Sequence, residues 1–193
     1  MLGGVVCTVV NMSVQVRTAK SVLAVAAEVL LRDATASLAQ VAAAAGIGRT
    51  TLHKRYPTRQ HLLVAVAEDS LELLDRAVGA ALPAGVDPAA GLRGLVDALV
   101  PLGPRLEFLL RQPSLDAEPE LLERWKQVDR PLTRFMGEAA EAGVLRPGVA
   151  PWWAVSSLYA VVYTAWEGVA EGKLAPLDAP RLAYDTLLGG IGT

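Results

Sequence analysis

A single cysteine, Cys7, stands in 193 residues, so the chain can form neither an internal disulfide nor a cysteine-built metal cluster, and the count suits a reducing cytoplasm. Histidine is nearly as scarce: His53 and His61 are too few and too far apart to make a metal site by themselves. The sequence has no nucleophile elbow, Walker loop or complete dinucleotide fingerprint, Gly46-Ile47-Gly48 being too brief to count. An enzymatic reading therefore lacks its chemistry, and no cofactor is expected. Strand-like alternation is scarce, and no internal repeat is found. The first eleven residues are apolar but have no basic lead and no convincing cleavage site, which argues against a signal peptide. Residues 1–15 read instead as an N-terminal arm or a mis-called start, with Met12 the alternative first residue. An arm that reached DNA would carry several Lys or Arg, and none precedes Arg17.

What is plentiful is apolar residue, 52% of the chain, dominated by alanine and leucine, with prolines and glycines gathered between periodic runs. That combination predicts an all-α protein. The longest uncharged run, Val149 to Trp166, has eighteen residues and touches the length at which a membrane span begins. A proline near its start, five hydroxylated residues, Glu167 close behind and no flanking basic cluster make it a poor span and a good buried helix.

The formal net charge of −2 hides an asymmetry. Between Val16 and Leu62 there are seven Lys and Arg against two acids, whereas the remainder holds eleven against eighteen. Attraction for a polyanion is thus confined to one end of the molecule.

That end contains the segment SLAQVAAAAGIGRTTLHKRYPTRQHLL, Ser37 to Leu63. Leu38, Val41, Ala42 and Ala45 recur at steps of three and four, giving a short helix one inward stripe. Gly46 can take the positive φ that a sharp exit needs, and Ile47 plugs the angle. A second helix follows from Arg49 to about Tyr56, with Leu52 and Tyr56 facing the first and Pro57 stopping it. Its other face carries Arg49, Thr50, His53 and Lys54, flanked by Thr51 and Arg55, which are donors suited to base edges and phosphates. Next, Thr58 can cap a long helix running to about Ala81, with Arg59 beside its N-terminus as a phosphate ligand. A first helix over Val16–Leu31 braces the pair through Ala19, Val22, Leu23, Ala26 and Leu30.

The segment resembles the DNA-binding domain of TetR-family transcriptional regulators. It departs from the usual pattern at Gly48, where a capping serine is common, at Thr50 for glycine, His53 for tyrosine, Tyr56 for phenylalanine and Arg59 for lysine. Each change keeps the role, since glycine is a tolerated N-cap, histidine and tyrosine both donate hydrogen bonds, and arginine binds phosphate well. The preceding link, Asp33-Ala34-Thr35-Ala36, is shorter than usual and lacks the customary glycine. The competing reading is a helical protein-binding module without DNA binding, which would show no steep salt dependence toward DNA.

The resemblance implies a helix-turn-helix domain over residues 16–82, connecting helix included, then an antiparallel helical effector-binding and dimerisation domain over 88–193. Leu82–Pro88 forms the linker. Helices are expected over Pro88–Leu99, Pro104–Arg111, Pro119–Ala142, Pro151–Glu171 and Pro176–Leu188, with proline at starts and Gly143 and Gly172 at two ends. Apolar residues gather where the family keeps its effector pocket: Leu102, Leu106, Phe108, Leu109, Trp125, Phe135, Met136 and Tyr163. Arg105, Gln112, Tyr159 and Thr164 would supply polar handles. Most such residues serve packing in any helical protein. The last two helices would form a four-helix contact between subunits, with Val155, Val162, Trp166, Val169 and Leu187 in its seam. The function implied is a cytoplasmic homodimeric repressor that leaves a palindromic double-stranded operator when a small, largely apolar effector binds.

Overall fold

The structure is a computed structural model that describes residues 22–193. The expected arm, the choice between Met1 and Met12, and residues 16–21 of the first helix lie outside the described residues. Apart from one isolated bridge between Leu145 and Gly192, the described residues form helices and turns, so the chain is all-α. It divides into two compact units, one ending at Asp69 and the other beginning at Ser70.

In the first unit, α1 (residues 22–32) turns Val22, Ala26, Ala27 and Leu30 inward. The link to α2 is closed without glycine. The Asp33 carboxylate accepts from the Thr35 backbone N–H at 2.8 Å and from its hydroxyl at 2.6 Å, an Asx-type turn. These bonds hold the Asp33 carboxyl below its ordinary range. Helix α2 (Leu38–Ala44) opens with a complete capping box: the Ser37 hydroxyl accepts from the Gln40 N–H, and the Gln40 side chain accepts from the Ser37 N–H at 2.8 Å. It exits through Gly46 at φ 66°. The Ile47 N–H donates to Ala42 O at 3.0 Å and the Gly46 N–H to Ala43 O at 3.2 Å, a Schellman closure that satisfies two terminal carbonyls. Helix α3 spans Arg49–Arg55, and α4 runs from Arg59 to Ala81.

The division between units falls inside α4, ahead of the Leu82–Pro88 linker. Beyond Ser70, α4 buries Leu71, Leu74 and Val78, and its Asp75 accepts from Arg124 of α7 (Pro119–Glu141) at 3.0 Å. The second unit also contains α5 (Pro88–Leu99), capped by Asp87, a 3₁₀ turn over Val100–Leu102, and α6 (Gly103–Leu110). The last two helices are α8 (Pro151–Ala170) and α9 (Ala179–Ile191). Helix α8 packs on α9, α7 and α6. Its buried residues, Ala154, Val155, Leu158, Tyr159, Val162 and Ala165, form the middle of the core. The last helix begins three residues later than proline punctuation predicts, because Ala175–Asp178 makes a turn, closed by the Asp178 N–H on Ala175 O at 3.0 Å.

Among the described residues no helix is long and apolar enough to cross a membrane. The Val149–Trp166 run instead supplies most of α8.

Candidate DNA-reading surface and effector site

The functional face of α3 follows from which residues it must bury. Leu52 is 1% exposed and Tyr56 8%, and together they fix the helix against the rest of the first unit. Burial also pushes the Tyr56 phenol up from its ordinary pKa. With those two inward, the helical period turns Arg49, Thr50, Thr51, His53, Lys54 and Arg55 outward, and all six are exposed. Gly48 occupies the N-cap with no side-chain bond.

Thr58 caps α4 as expected: its Oγ1 accepts from the His61 N–H at 3.3 Å and lies 2.7 Å from His61 Nδ1. His61, exposed, is thus part of the cap. Arg59 is half-buried, and its guanidinium donates to the Ala34 carbonyl, so it also braces the α1–α2 link. Thr35, Ser37, Leu38 and Ala39 join Arg49, His53 and Arg59 around a recess of about 490 Å³. Two guanidinium groups and an imidazole on one concave surface make it suited to anionic oxygen. Thr35 and Ser37 were not among the expected contacts. Their hydroxyls sit in the α1–α2 link, where sequence alone shows only a turn and a cap.

In the second unit the expected effector residues do not share one site. Leu106, Phe108, Phe135 and Met136 are enclosed in the core, and the Phe135 ring lies against Gly91. Leu102, Leu109 and Arg105 are half-buried on the α5–α6 stretch, with Arg105 donating to the Ser70 hydroxyl at 3.4 Å; Gln112 is buried just beyond α6.

Trp125 and Tyr159 meet edge-to-face at 6.0 Å and both donate to Asp129, the indole at 3.0 Å and the phenol at 2.7 Å. Asp129 was not expected, because only the fold brings α7 and α8 together across thirty residues of sequence. Burial pushes its carboxyl up, opposed by the two donated bonds. Burial first, and then the neighbouring Asp129, pushes the Tyr159 phenol up.

Tyr163 belongs to a separate polar cluster. It accepts from Arg111 at 2.7 Å and donates to Glu167 at 2.9 Å, and Arg111 pairs with the buried Glu107 at 2.9 Å. Desolvation raises the Glu107 carboxyl despite Arg111 beside it.

Two expectations need correction. Thr164 is not on the inner face of α8. Five residues beyond Tyr159 it lies about 140° around the helix, is exposed, bonds its own helix at Ala160 O, and lines a groove between α8 and α9. Nor can Val155, Val162 and Leu187 form a subunit seam. They are 4%, 0% and 2% exposed within the subunit itself, spent on the α8 and α9 core. Trp166 and Val169 are half-buried, and Trp166 closes on Gly103. The surface left open on these helices is the groove of about 330 Å³ lined by Val161, Thr164, Leu182, Thr186 and their neighbours. The exposed Trp152, Trp153 and Leu182 add apolar surface on the same two helices.

An outward basic helix behind a Schellman turn, followed by a separate helical unit, defines a helix-turn-helix transcriptional regulator rather than an enzyme. No protein-family profile matches the chain. It is 34% identical over 156 residues, 81% of each chain, to the HTH-type transcriptional repressor LfrR of Mycolicibacterium smegmatis. The crystal structure of that TetR-like regulator in complex with proflavine matches with a TM-score of 0.74 and 31% identity, over 92% of this chain and 98% of that one. A TetR-family regulator of Marinobacter aquaeolei shares the fold, with a TM-score of 0.72 at 17% identity over 92% and 97% of the two chains. The chain belongs to the TetR family of transcriptional regulators.

Proposed function

We propose that the protein is a ligand-responsive repressor that binds a palindromic operator as a homodimer and leaves it when a small, largely apolar effector occupies the second unit. The observation that carries this reading is the outward set on α3, with Arg49 and Lys54 exposed while Leu52 and Tyr56 are spent on packing. Residues 16–82 serve as the DNA-binding domain with its connecting helix, and residues 88–193 as the effector-binding and dimerisation domain. Arg49, Thr50, Thr51, His53, Lys54 and Arg55 meet the major groove, while Thr58 and Arg59 hold a backbone phosphate that sets register. An operator-binding protein of this kind works in the cytoplasm.

The similar repressor crystallised with proflavine supports an aromatic effector. Leu102, Leu109, Trp125, Tyr159 and Tyr163 supply apolar and aromatic surface for one, with Arg105 and Gln112 as polar handles. Helix α4 is the lever. Its start carries Arg59 and its second half is held to α7 through Asp75 and Arg124, so a shift of α7 on effector binding tilts the helix. A coupling of about 1–3 kcal/mol would change operator affinity roughly 5–150-fold.

The test is selection of bound genomic DNA, followed by operator titration with and without proflavine. A two-fold symmetric site whose affinity falls in the presence of proflavine is the expected result. Binding that is insensitive to salt would refute the DNA reading, and equal affinity with and without proflavine would refute release by this class of ligand.

A further inference from the structure

We infer that the Asp129 carboxylate, set between Trp125 and Tyr159, is a recognition point for an organic cation, so that the effector is an aromatic cation rather than a neutral apolar molecule. The inference rests on the ligand-responsive reading above and narrows it. Trp125 and Asp129 are one turn apart on α7, and the indole N–H reaches one carboxylate oxygen at 3.0 Å. The Tyr159 hydroxyl reaches the other from α8 at 2.7 Å. Each oxygen accepts one hydrogen bond and keeps a further lone pair, both donors are neutral, and the negative charge has no cationic side chain against it among the described residues.

Arg130, the next residue in the chain, is exposed and forms no ion pair with Asp129, and other nearby cations are committed elsewhere. Arg124 bonds Asp75 and Gln127, Lys126 pairs with Glu123, and Arg111 pairs with Glu107. A partly buried carboxylate without a counter-charge is held at a cost that a bound cation would remove. The two rings add to this. Their faces attract cations, and their edge-to-face packing holds them around the carboxylate. Trp125 and Asp129 are half-buried, whereas Tyr159 is 9% exposed, so the cluster sits at the margin of the core rather than sealed within it.

A bland alternative is that Asp129 only ties α7 to α8. The two roles differ in how they respond to ligand charge. Proflavine, a planar cation, and acridine, the same tricycle uncharged in mildly alkaline buffer, are titrated against the full chain by fluorescence. The unsubstituted protein should prefer proflavine by at least about tenfold. Asp129→Asn should erase most of that preference and change acridine binding little, whereas Tyr159→Phe, which keeps the charge, should retain the preference. Thermal melts report whether each variant is folded.

Absence of any preference in the unsubstituted chain, or a preference unaffected by Asp129→Asn, overturns the assignment, and so does an equal loss for both dyes. If acridine binds and releases operator as well as proflavine does, the repressor reading stands and the cation assignment falls. If neither dye binds, the cation assignment falls together with release by this class of ligand, while the DNA-binding reading is judged by the operator titration. Should Asp129→Asn not fold, the proflavine-to-acridine ratio of the unsubstituted protein and of Tyr159→Phe decides the matter.

Discussion

Gly103, the first residue of α6, lies directly against Trp166 of α8: a β-carbon placed on the glycine would be 2.2 Å from both Cβ and Cγ of the indole side chain. This approach lets α6 and α8 close on each other, and it turns Trp166 into a packing residue. Gly103→Ala should therefore destabilise the second unit by about 1–3 kcal/mol through overpacking. The check is a urea or thermal melt, in which a fall of about 2–4 °C per kcal/mol is expected for a chain of this size. An unchanged midpoint would mean the two helices separate at little cost.

Much of this architecture can be read from local signals. Ser37 and Gln40 announce the start of α2, Gly46 its exit, and Pro57 the end of α3. Asp87 with Pro88 starts α5, and Gly143 and Gly172, at φ 75° and 70°, close α7 and α8. These features are set by residues within a few positions of each other. The faces of α8 are a different matter. That helix is apolar nearly all round, so periodicity cannot tell which stripe faces α7 and which faces outward. Only packing sends Val155 and Val162 into the core and leaves Thr164 in the groove. Asp129 is illegible for a related reason, since its partner Tyr159 comes from another helix. Arg59 reads as a phosphate ligand, but its bond to the Ala34 carbonyl depends on how α4 meets the α1–α2 link.

Lys54 and Arg59 should fail in different ways. Lys54 is exposed on the outer face of α3, and Lys54→Ala should cost about 1–3 kcal/mol and relax preference at one operator position. Arg59→Ala should weaken all sequences alike and lower the salt slope by about one. Because Arg59 also braces Ala34, some loss of stability should accompany it. Binding-site selection combined with titration across salt concentrations separates these outcomes, and an exchange of the two phenotypes would reverse the residue roles.

The capping box gives a stability prediction. Ser37→Ala removes the acceptor for the Gln40 N–H and half of the reciprocal pair at the start of a seven-residue helix. A loss of about 0.5–2 kcal/mol is expected, along with weaker operator binding at temperatures near the melt. Ser37→Asp should restore most of the stability, since its carboxylate caps as well.

Asp129 predicts an unusual pH response. Burial raises its carboxyl above the ordinary value of 3.8 in the folded protein, so in the interval above that value the folded state binds more protons than the unfolded one. Its contribution to stability therefore grows as pH falls through the raised pKa, and is complete below the unfolded value. Glu107, raised by burial from 4.5, acts in the same direction. In Asp129→Asn this contribution disappears. The difference in urea midpoint between variant and parent should favour Asn more at neutral pH than near pH 3.8. A difference independent of pH would show that the carboxyl titrates normally.

The groove between α8 and α9 is the surface through which two copies should meet. Leu182 is 47% exposed on α9, with Thr164 and Thr186 lining the same groove, and none of the three is needed for the core of its own subunit. In a two-fold contact each residue is used twice, so one substitution places two new groups in the interface. Leu182→Arg should thus convert dimer to monomer in sedimentation at micromolar concentration while leaving helicity intact. Operator affinity should fall steeply, because two recognition helices about 34–36 Å apart are needed to read both half-sites. A single half-site should bind the variant and the parent subunit alike. A Leu182→Arg protein that remains dimeric with full operator affinity would move the contact away from this groove, to another part of the surface that carries Trp152 and Trp153.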